Sequence, residues 1–220
     1  MMTSAPRPKP KFRGVFHLIG ALIVLPIGVM FSGSVEPTLQ RAVTLYCLSL
    51  FMLLSVSAVY HVPMWKPEPR AKLRRLDHAM IYILIGGSYL PYLSTLESAL
   101  PSWLETAVIV STILGVAKSL LWTGKSRLLR SLPFLFFGFA GVLMVPALYH
   151  RYGVSPVALL LGGGLLYAVG VLFYVFKRPD PWPRYFGYHE LFHICVNGAA
   201  ACHFISIWQA TEGYRLSLAS

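Results

Sequence analysis

The chain has 220 residues, of which 56% are hydrophobic and only 12% are charged. Soluble domains carry about 25% charged residues, so this composition argues against a soluble globular protein. The apolar residues form uniform blocks of about the 20 residues that a helix requires to cross a bilayer, whereas strands of a membrane barrel would alternate apolar and polar residues. The composition therefore predicts an all-α integral membrane protein.

Seven apolar blocks are long enough to span a membrane, and short polar connections separate them. They lie at residues 14–31, 41–62, 76–96, 103–122, 132–150, 154–176 and 189–208. We predict one seven-transmembrane helix bundle over residues 14–210, with a disordered basic cytoplasmic tail at 1–13 and an external tail at 211–220. Alternatively, the first block is a secretory signal that is cleaved after the small residues 32–34.

The distribution of basic residues predicts the orientation of the bundle. If the N-terminus is cytoplasmic, 16 of the 19 Lys and Arg residues lie on the cytoplasmic side, and only Arg41, Arg151 and Arg215 lie outside. Such an excess is typical of cytoplasmic loops, so we expect the N-terminus inside and the C-terminus outside. This topology accounts for the net charge of +11, and nucleic-acid binding is not expected.

Ionisable residues inside apolar blocks are costly and commonly functional. In the predicted orientation the second block ends at the cytoplasmic side with the sequence SAVYH. The third block begins at that side with LDH, and the seventh begins there with HELFH. Three helices are therefore predicted to bring ionisable side chains to the same depth of the membrane.

These side chains have the composition of a catalytic zinc site. His189 and His193 are one helical turn apart and share a face, and His61 supplies a third imidazole. Three protein ligands with one open position are typical of catalytic zinc. We expect Asp77 to accept a proton or orient a ligand, and Ser57, one turn before His61, to donate a supporting hydrogen bond.

Each residue also has a simpler interpretation when it is considered alone. The paired histidines can meet water and headgroups at a helix end. Asp77 can cap a helix or pair with a nearby arginine, and Ser57 can bond a carbonyl of its own helix. The zinc hypothesis rests on the expected convergence of all five residues.

The remaining polar residues of these blocks are expected to have other roles. His203 shares a helix face with His193 but lies ten residues farther, about 15 Å along the axis, so it is too distant to bind the same ion. We expect it to line an interior cavity or to form an interhelical hydrogen bond. Glu190 and His17 are expected at the membrane interface, with a position beside the metal ligands as the alternative for His17. His78 is not expected to be a ligand.

The motifs SAVYH, LDHAMIYILIGGSYLP and HELFH, with the later CHF, together resemble the hemolysin III family within the progestin and adiponectin Q receptor (PAQR) group. The resemblance covers essentially the whole chain. In the related adiponectin receptors three histidines hold zinc near the cytoplasmic face, which implies that role for His61, His189 and His193. It also implies that Ser57 and Asp77 lie beside the ion and that the chain resides in a bacterial inner membrane.

We predict that the chain hydrolyses an acyl amide or ester bond of a membrane lipid or lipid-like substrate with zinc as cofactor. A distant likeness to the alkaline ceramidases favours such a substrate. The alternative is a non-enzymatic sensor or regulator of membrane state with structural zinc. A cytolysin is disfavoured because no amphipathic insertion segment is present, and a retinal photoreceptor because residues 189–208 contain no Lys. A transporter also fits less well, since no repeat is visible.

Overall fold

The computed structural model describes residues 9–121 and 126–219, and the regular structure of these ranges is helical. The helices are α1 (Val15–Ser34), α2 (Pro37–His61), α3 (Pro67–Thr95), α4 (Trp103–Leu121), α5 (Arg127–Phe139), α6 (Val145–Tyr152), α7 (Val154–Phe176) and α8 (Tyr188–Ala219). A 3-10 turn at Ala140–Met144 joins α5 to α6, and another lies at Glu97–Ala99. The all-α prediction is confirmed.

Six helical segments of the described ranges are long and apolar enough to cross a membrane. They are α1, α2, α4, the continuous α5–α6 segment, α7 and α8, with mean hydropathies between 1.4 and 2.2. Helix α3 is not among them; its first eleven residues carry six of its charged side chains, Glu68, Arg70, Lys72, Arg74, Arg75 and Asp77. It nevertheless packs between α2 and α4 in the same bundle. Six of the seven predicted spans therefore meet the criterion for a membrane helix.

Large apolar side chains are exposed on the outer faces of the helices. On α1, Leu22, Val29 and Met30 are all more than 60% exposed. Soluble monomers rarely expose contiguous apolar surface of this kind, whereas lipid tails solvate it without cost. These faces, together with the six spanning helices, identify an integral membrane protein.

Helices α3 and α8 exceed their predicted lengths by the most. Helix α3 begins at Pro67, with proline in its first turn and a Glu68–Lys72 ion pair of 3.3 Å supporting that turn. Helix α8 continues to Ala219, through most of the expected external tail, and an ion pair of 2.7 Å between Glu212 and Arg215 supports its end. The predicted end of the fourth span at Trp122 lies outside the described residues.

The segment before α1 is attached to the loop that precedes α8. The backbone amides of Lys11 and Phe12 donate to the carbonyl oxygens of Arg184 and Tyr185, each at 3.1 Å. The predicted disordered tail 1–13 therefore contains ordered residues from 9 onward, while residues 1–8 lie outside the described ranges. These contacts bring the start of α1 close to the start of α8.

Candidate metal centre

Three histidines from two helices converge at one end of the bundle. His61 is the last residue of α2, and His189 and His193 occupy the first two turns of α8. Each offers one ring nitrogen, and these three atoms lie within 4.8 Å of one another. The Nε2 atoms of His61 and His189 are only 3.1 Å apart. The structure thus brings together the three residues predicted as metal ligands, called here the histidine triad.

The start of α8 is held in place by a buried ion pair. The Glu190 side chain is fully buried, accepts a hydrogen bond from the Gly187 amide at 2.8 Å and pairs with the Arg13 guanidinium. The sequence placed Glu190 at the membrane interface. Its carboxyl group is buried inside the bundle and attaches the segment before α1 to the helix that carries two triad histidines.

His17 of α1 lies beside the triad, a position that the sequence offered only as the alternative to the membrane interface. Its ring stacks on that of His193, with centroids 3.7 Å apart and planes 5° from parallel. It is only 3% exposed, so its side chain is buried inside the bundle. The sequence contained one indication of this position: His17 lies in the first turns of α1, which were predicted at the same cytoplasmic end as the triad.

A glycine allows α1 to approach the triad. Gly14 precedes α1 with a φ of +86°, a left-handed conformation that other residues rarely adopt. A Cβ atom at this position would lie 2.7 Å from the Cβ of His61. Glycine is therefore required both by the backbone conformation and by the close approach of the α1 start to His61.

A cavity of about 380 Å³ lies beside the triad and extends into the bundle. Asp77 and Ser57 line it together with the triad histidines. Ser57 is buried one turn before His61, and its hydroxyl interacts with the carboxyl of Asp77. A carboxyl in this position can exchange a proton with a molecule bound beside the histidines.

The triad end of the cavity is strongly basic. The arginines that line it are Arg13, Arg70, Arg74, Arg127 and Arg130. The Arg127 guanidinium lies over the Tyr174 ring and donates to the Tyr174 carbonyl at 2.9 Å, so its position is fixed. Partial burial, and then repulsion from Arg13 and Arg70, lower the pKa of Lys9, which lies beside them. This surplus of cations favours a polar or anionic group at the triad end of the cavity.

The two remaining histidines of the predicted region also line the cavity. His78 follows Asp77 on α3 and is not one of the three clustered histidines. His203 lies at the opposite end of the cavity from the triad, against Gly163 of α7. The cavity position expected for His203 is observed. Its Nε2 atom, however, is buried without a hydrogen-bond partner among the described residues, so this atom forms no interhelical bond there.

The donor set of the triad fits a transition metal ion. Two nitrogens on a tetrahedral zinc ion are about 3.3 Å apart, close to the 3.1 Å between the Nε2 atoms of His61 and His189. The Nδ1 atom of His193 is buried without a hydrogen-bond partner in the described ranges. Imidazole donors suit zinc, copper, nickel or iron rather than calcium or magnesium. The three histidines can therefore hold a metal ion. Their chemistry is compatible with zinc but does not distinguish it from copper, nickel or iron.

Comparison with known proteins gives consistent matches over nearly the whole chain. The profile of a family described as "Haemolysin-III related" matches residues 6–204. Hemolysin-3 of Bacillus cereus is 29% identical over 199 residues, which cover 88% of this chain and 87% of that protein. The human monocyte to macrophage differentiation factor is 28% identical over 173 residues, covering 75% and 68%. The adiponectin receptor protein of Drosophila melanogaster is 27% identical over 241 residues, covering 91% and 53%.

Proposed function

The chain belongs to the haemolysin-III related family, in the PAQR superfamily, and from this premise we propose that it is a zinc-dependent hydrolase of membrane lipids. The family resemblance expected from the motifs is thereby confirmed. In the proposal, His61, His189 and His193 hold one zinc ion, and the bond cleaved is an acyl amide or ester. Some relatives are named as receptors or hemolysins, and the activities in those names are not assigned to this chain.

One observation carries this proposal: the histidine triad and a carboxyl group line the same cavity inside a membrane bundle. Three imidazoles leave a coordination position for water or substrate, as in catalytic zinc sites. A cavity of about 380 Å³ lies at the lower end of the range for ligand pockets, so it suits a single hydrocarbon chain. A sealed structural site would require neither the cavity nor the acid.

Bound zinc would supply a Lewis acid that polarises the acyl carbonyl and increases the acidity of water. The side chains of this chain provide the other steps. The Asp77 carboxylate accepts the proton of the attacking water and transfers it to the departing amine or alcohol. The Ser57 hydroxyl orients that carboxylate, and the apolar walls of the cavity hold the acyl chain and exclude bulk water.

The proposed topology places this site at the cytoplasmic face of a bacterial inner membrane. It counts α3 as a membrane span in addition to the six helices named above, with the N-terminus inside and the C-terminus outside. The 16-to-3 distribution of basic residues supports this orientation. The basic triad end of the cavity would then lie at the level of the lipid headgroups.

The test is release of fatty acid from ceramides, acyl amides and phospholipids by the zinc-loaded protein in bilayers. We expect Asp77→Asn to keep zinc and lose about 10²–10⁴ in rate, because an amide cannot accept the proton. Glu68→Gln is the control, since this exposed acid lies on the same helix outside the cavity. If wild type binds zinc but releases no fatty acid from any substrate on the panel, the hydrolase proposal is wrong. The alternative, a non-enzymatic sensor of membrane state with structural zinc, then replaces it.

A further inference from the structure

Two polar atoms at the inner end of the cavity have no hydrogen-bond partner among the described residues. They are the hydroxyl of Tyr46 on α2 and the Nε2 atom of His203 on α8. Tyr46 is 1% exposed, and both side chains line the cavity. Buried polar groups of folded proteins are nearly always paired, and hydrocarbon outside the bundle offers them no partner. Two such atoms at the same end of one cavity point to a ligand.

The two atoms lie at a common depth, far from the triad. Tyr46 precedes His61 by 15 residues on α2, and His203 follows His189 by 14 residues on α8. At 1.5 Å per residue, the separation is about 22.5 Å along α2 and about 21 Å along α8. Tyr92 lies 15 residues after Asp77 on α3 and also lines the cavity. Three helices therefore carry one residue at the triad end and a second polar residue about four turns away.

The side chains around Tyr46 and His203 are held by their own hydrogen bonds and ring contacts. Tyr92 donates to the Ser206 hydroxyl at 2.6 Å, which in turn donates to the Pro156 carbonyl at 2.7 Å. The Tyr167 ring packs against His203 with centroids 5.7 Å apart. These contacts fix the walls of the inner end, so the two unpaired atoms are held in position by the fold.

The chemistry of the inner end selects a neutral polar group. Every charged residue that lines the cavity lies at the triad end, in the segment before α1 or in the first turns of α3 and α5. A tyrosine hydroxyl can donate and accept, and a neutral imidazole nitrogen does one or the other according to its tautomer. A hydroxyl group satisfies both partners, whereas an ionised group would be left without a counter-ion.

We propose that Tyr46 and His203 form a second binding subsite, which holds a hydroxyl group on the far end of a single-chain lipid. The polar head of that lipid lies beside the triad, and its hydrocarbon chain fills the cavity between them. The preferred ligand is thus an oxygenated amphiphile, rather than one whose chain ends in a plain methyl group. This subsite concerns binding and is independent of whether the triad hydrolyses the bound lipid.

The test compares two probes that differ by one hydroxyl, hexadecanoic acid and 16-hydroxyhexadecanoic acid. Affinities are measured by displacement of a fluorescent fatty acid from the full zinc-loaded chain in phosphatidylcholine nanodiscs. We expect wild type to bind the hydroxylated probe about tenfold more tightly, the ratio that one added hydrogen bond supplies. Tyr46→Phe and His203→Leu should each reduce that ratio toward one, with little change in affinity for hexadecanoic acid.

Tyr89→Phe is the matched control. Its side chain also lines the cavity, but its hydroxyl already donates to the Phe137 carbonyl at 2.8 Å, so the probe ratio should remain at the wild-type value. Without ligand, Tyr89→Phe should lower the unfolding temperature, whereas Tyr46→Phe should not, because no hydrogen bond is lost. Equal binding of both probes by wild type, or a hydroxyl preference that survives both Tyr46→Phe and His203→Leu, would overturn the proposal. Because neither probe is a hydrolysis substrate, these outcomes do not depend on the proposed activity.

Discussion

The imidazole of His17 lies flat against the imidazole of His193, at a centroid distance of 3.7 Å. This contact joins α1 to the second turn of α8 and covers one face of a triad histidine. Because the rotamer of a ligand is commonly fixed by the groups around it, we expect His17 to position His193 without binding the metal itself.

Two substitutions of His17 distinguish a residue that positions His193 from a residue that binds the metal itself. His17→Ala removes the stacked ring, so the metal affinity should fall by about 10–100-fold. His17→Phe keeps a flat ring and should retain most of the affinity, as measured by competition with a chelator. If Phe is as damaging as Ala, His17 is itself a ligand and the triad is incomplete without it.

The Arg13–Glu190 pair predicts an asymmetric response to mutation. Arg13→Gln leaves the Glu190 carboxylate fully buried without its cation, which should cost about 3–5 kcal/mol of unfolding free energy. Glu190→Gln should cost less, because the Arg13 side chain is 18% exposed and can reach water. Reversible unfolding in mild detergent measures both values, and equal costs would show that Arg13 is not the main partner of Glu190.

Two neighbouring glycines of α7 should respond oppositely to alanine. A Cβ at Gly163 would lie 2.2 Å from Cδ2 of His203, so Gly163→Ala should destabilise the bundle by about 1–3 kcal/mol. Gly162 has nothing within 4 Å of the corresponding position, so Gly162→Ala should stabilise the helix by about 0.5–1 kcal/mol. Reversible unfolding in mild detergent measures both variants. If Gly162→Ala and Gly163→Ala destabilise the protein equally, His203 does not pack closely against Gly163.

Much of the architecture could be predicted because long apolar blocks permit few structures in a membrane. The convergence of His61 with His189 and His193 followed from the alternating direction of the spans and from i, i+4 spacing. The stacking of His17 could not be predicted in the same way, because its rotation toward α8 depends on the close approach of α1 at Gly14. The burial of Glu190 depends on Arg13, a residue that the sequence placed in a disordered tail.

The proposed orientation is tested by reporters fused to each terminus. A periplasmic alkaline phosphatase needs disulfides that form only outside the cytoplasm, so it should be inactive when fused to the N-terminus and active at the C-terminus. A fluorescent protein that folds in the cytoplasm should give the opposite pattern, bright at the N-terminus and dark at the C-terminus. Two termini on the same side would mean that α3 does not cross the membrane and that six spans are present.

Metal content of the purified chain tests the central claim most directly. We expect about one zinc ion per wild-type chain and almost none in His61→Ala, His189→Ala or His193→Ala, because each removes one of three protein ligands. His203→Leu should retain the metal, since it lies about 15 Å beyond His193. Full zinc occupancy in His61→Ala, with the same content as His203→Leu, would contradict the assignment of the triad as the metal centre.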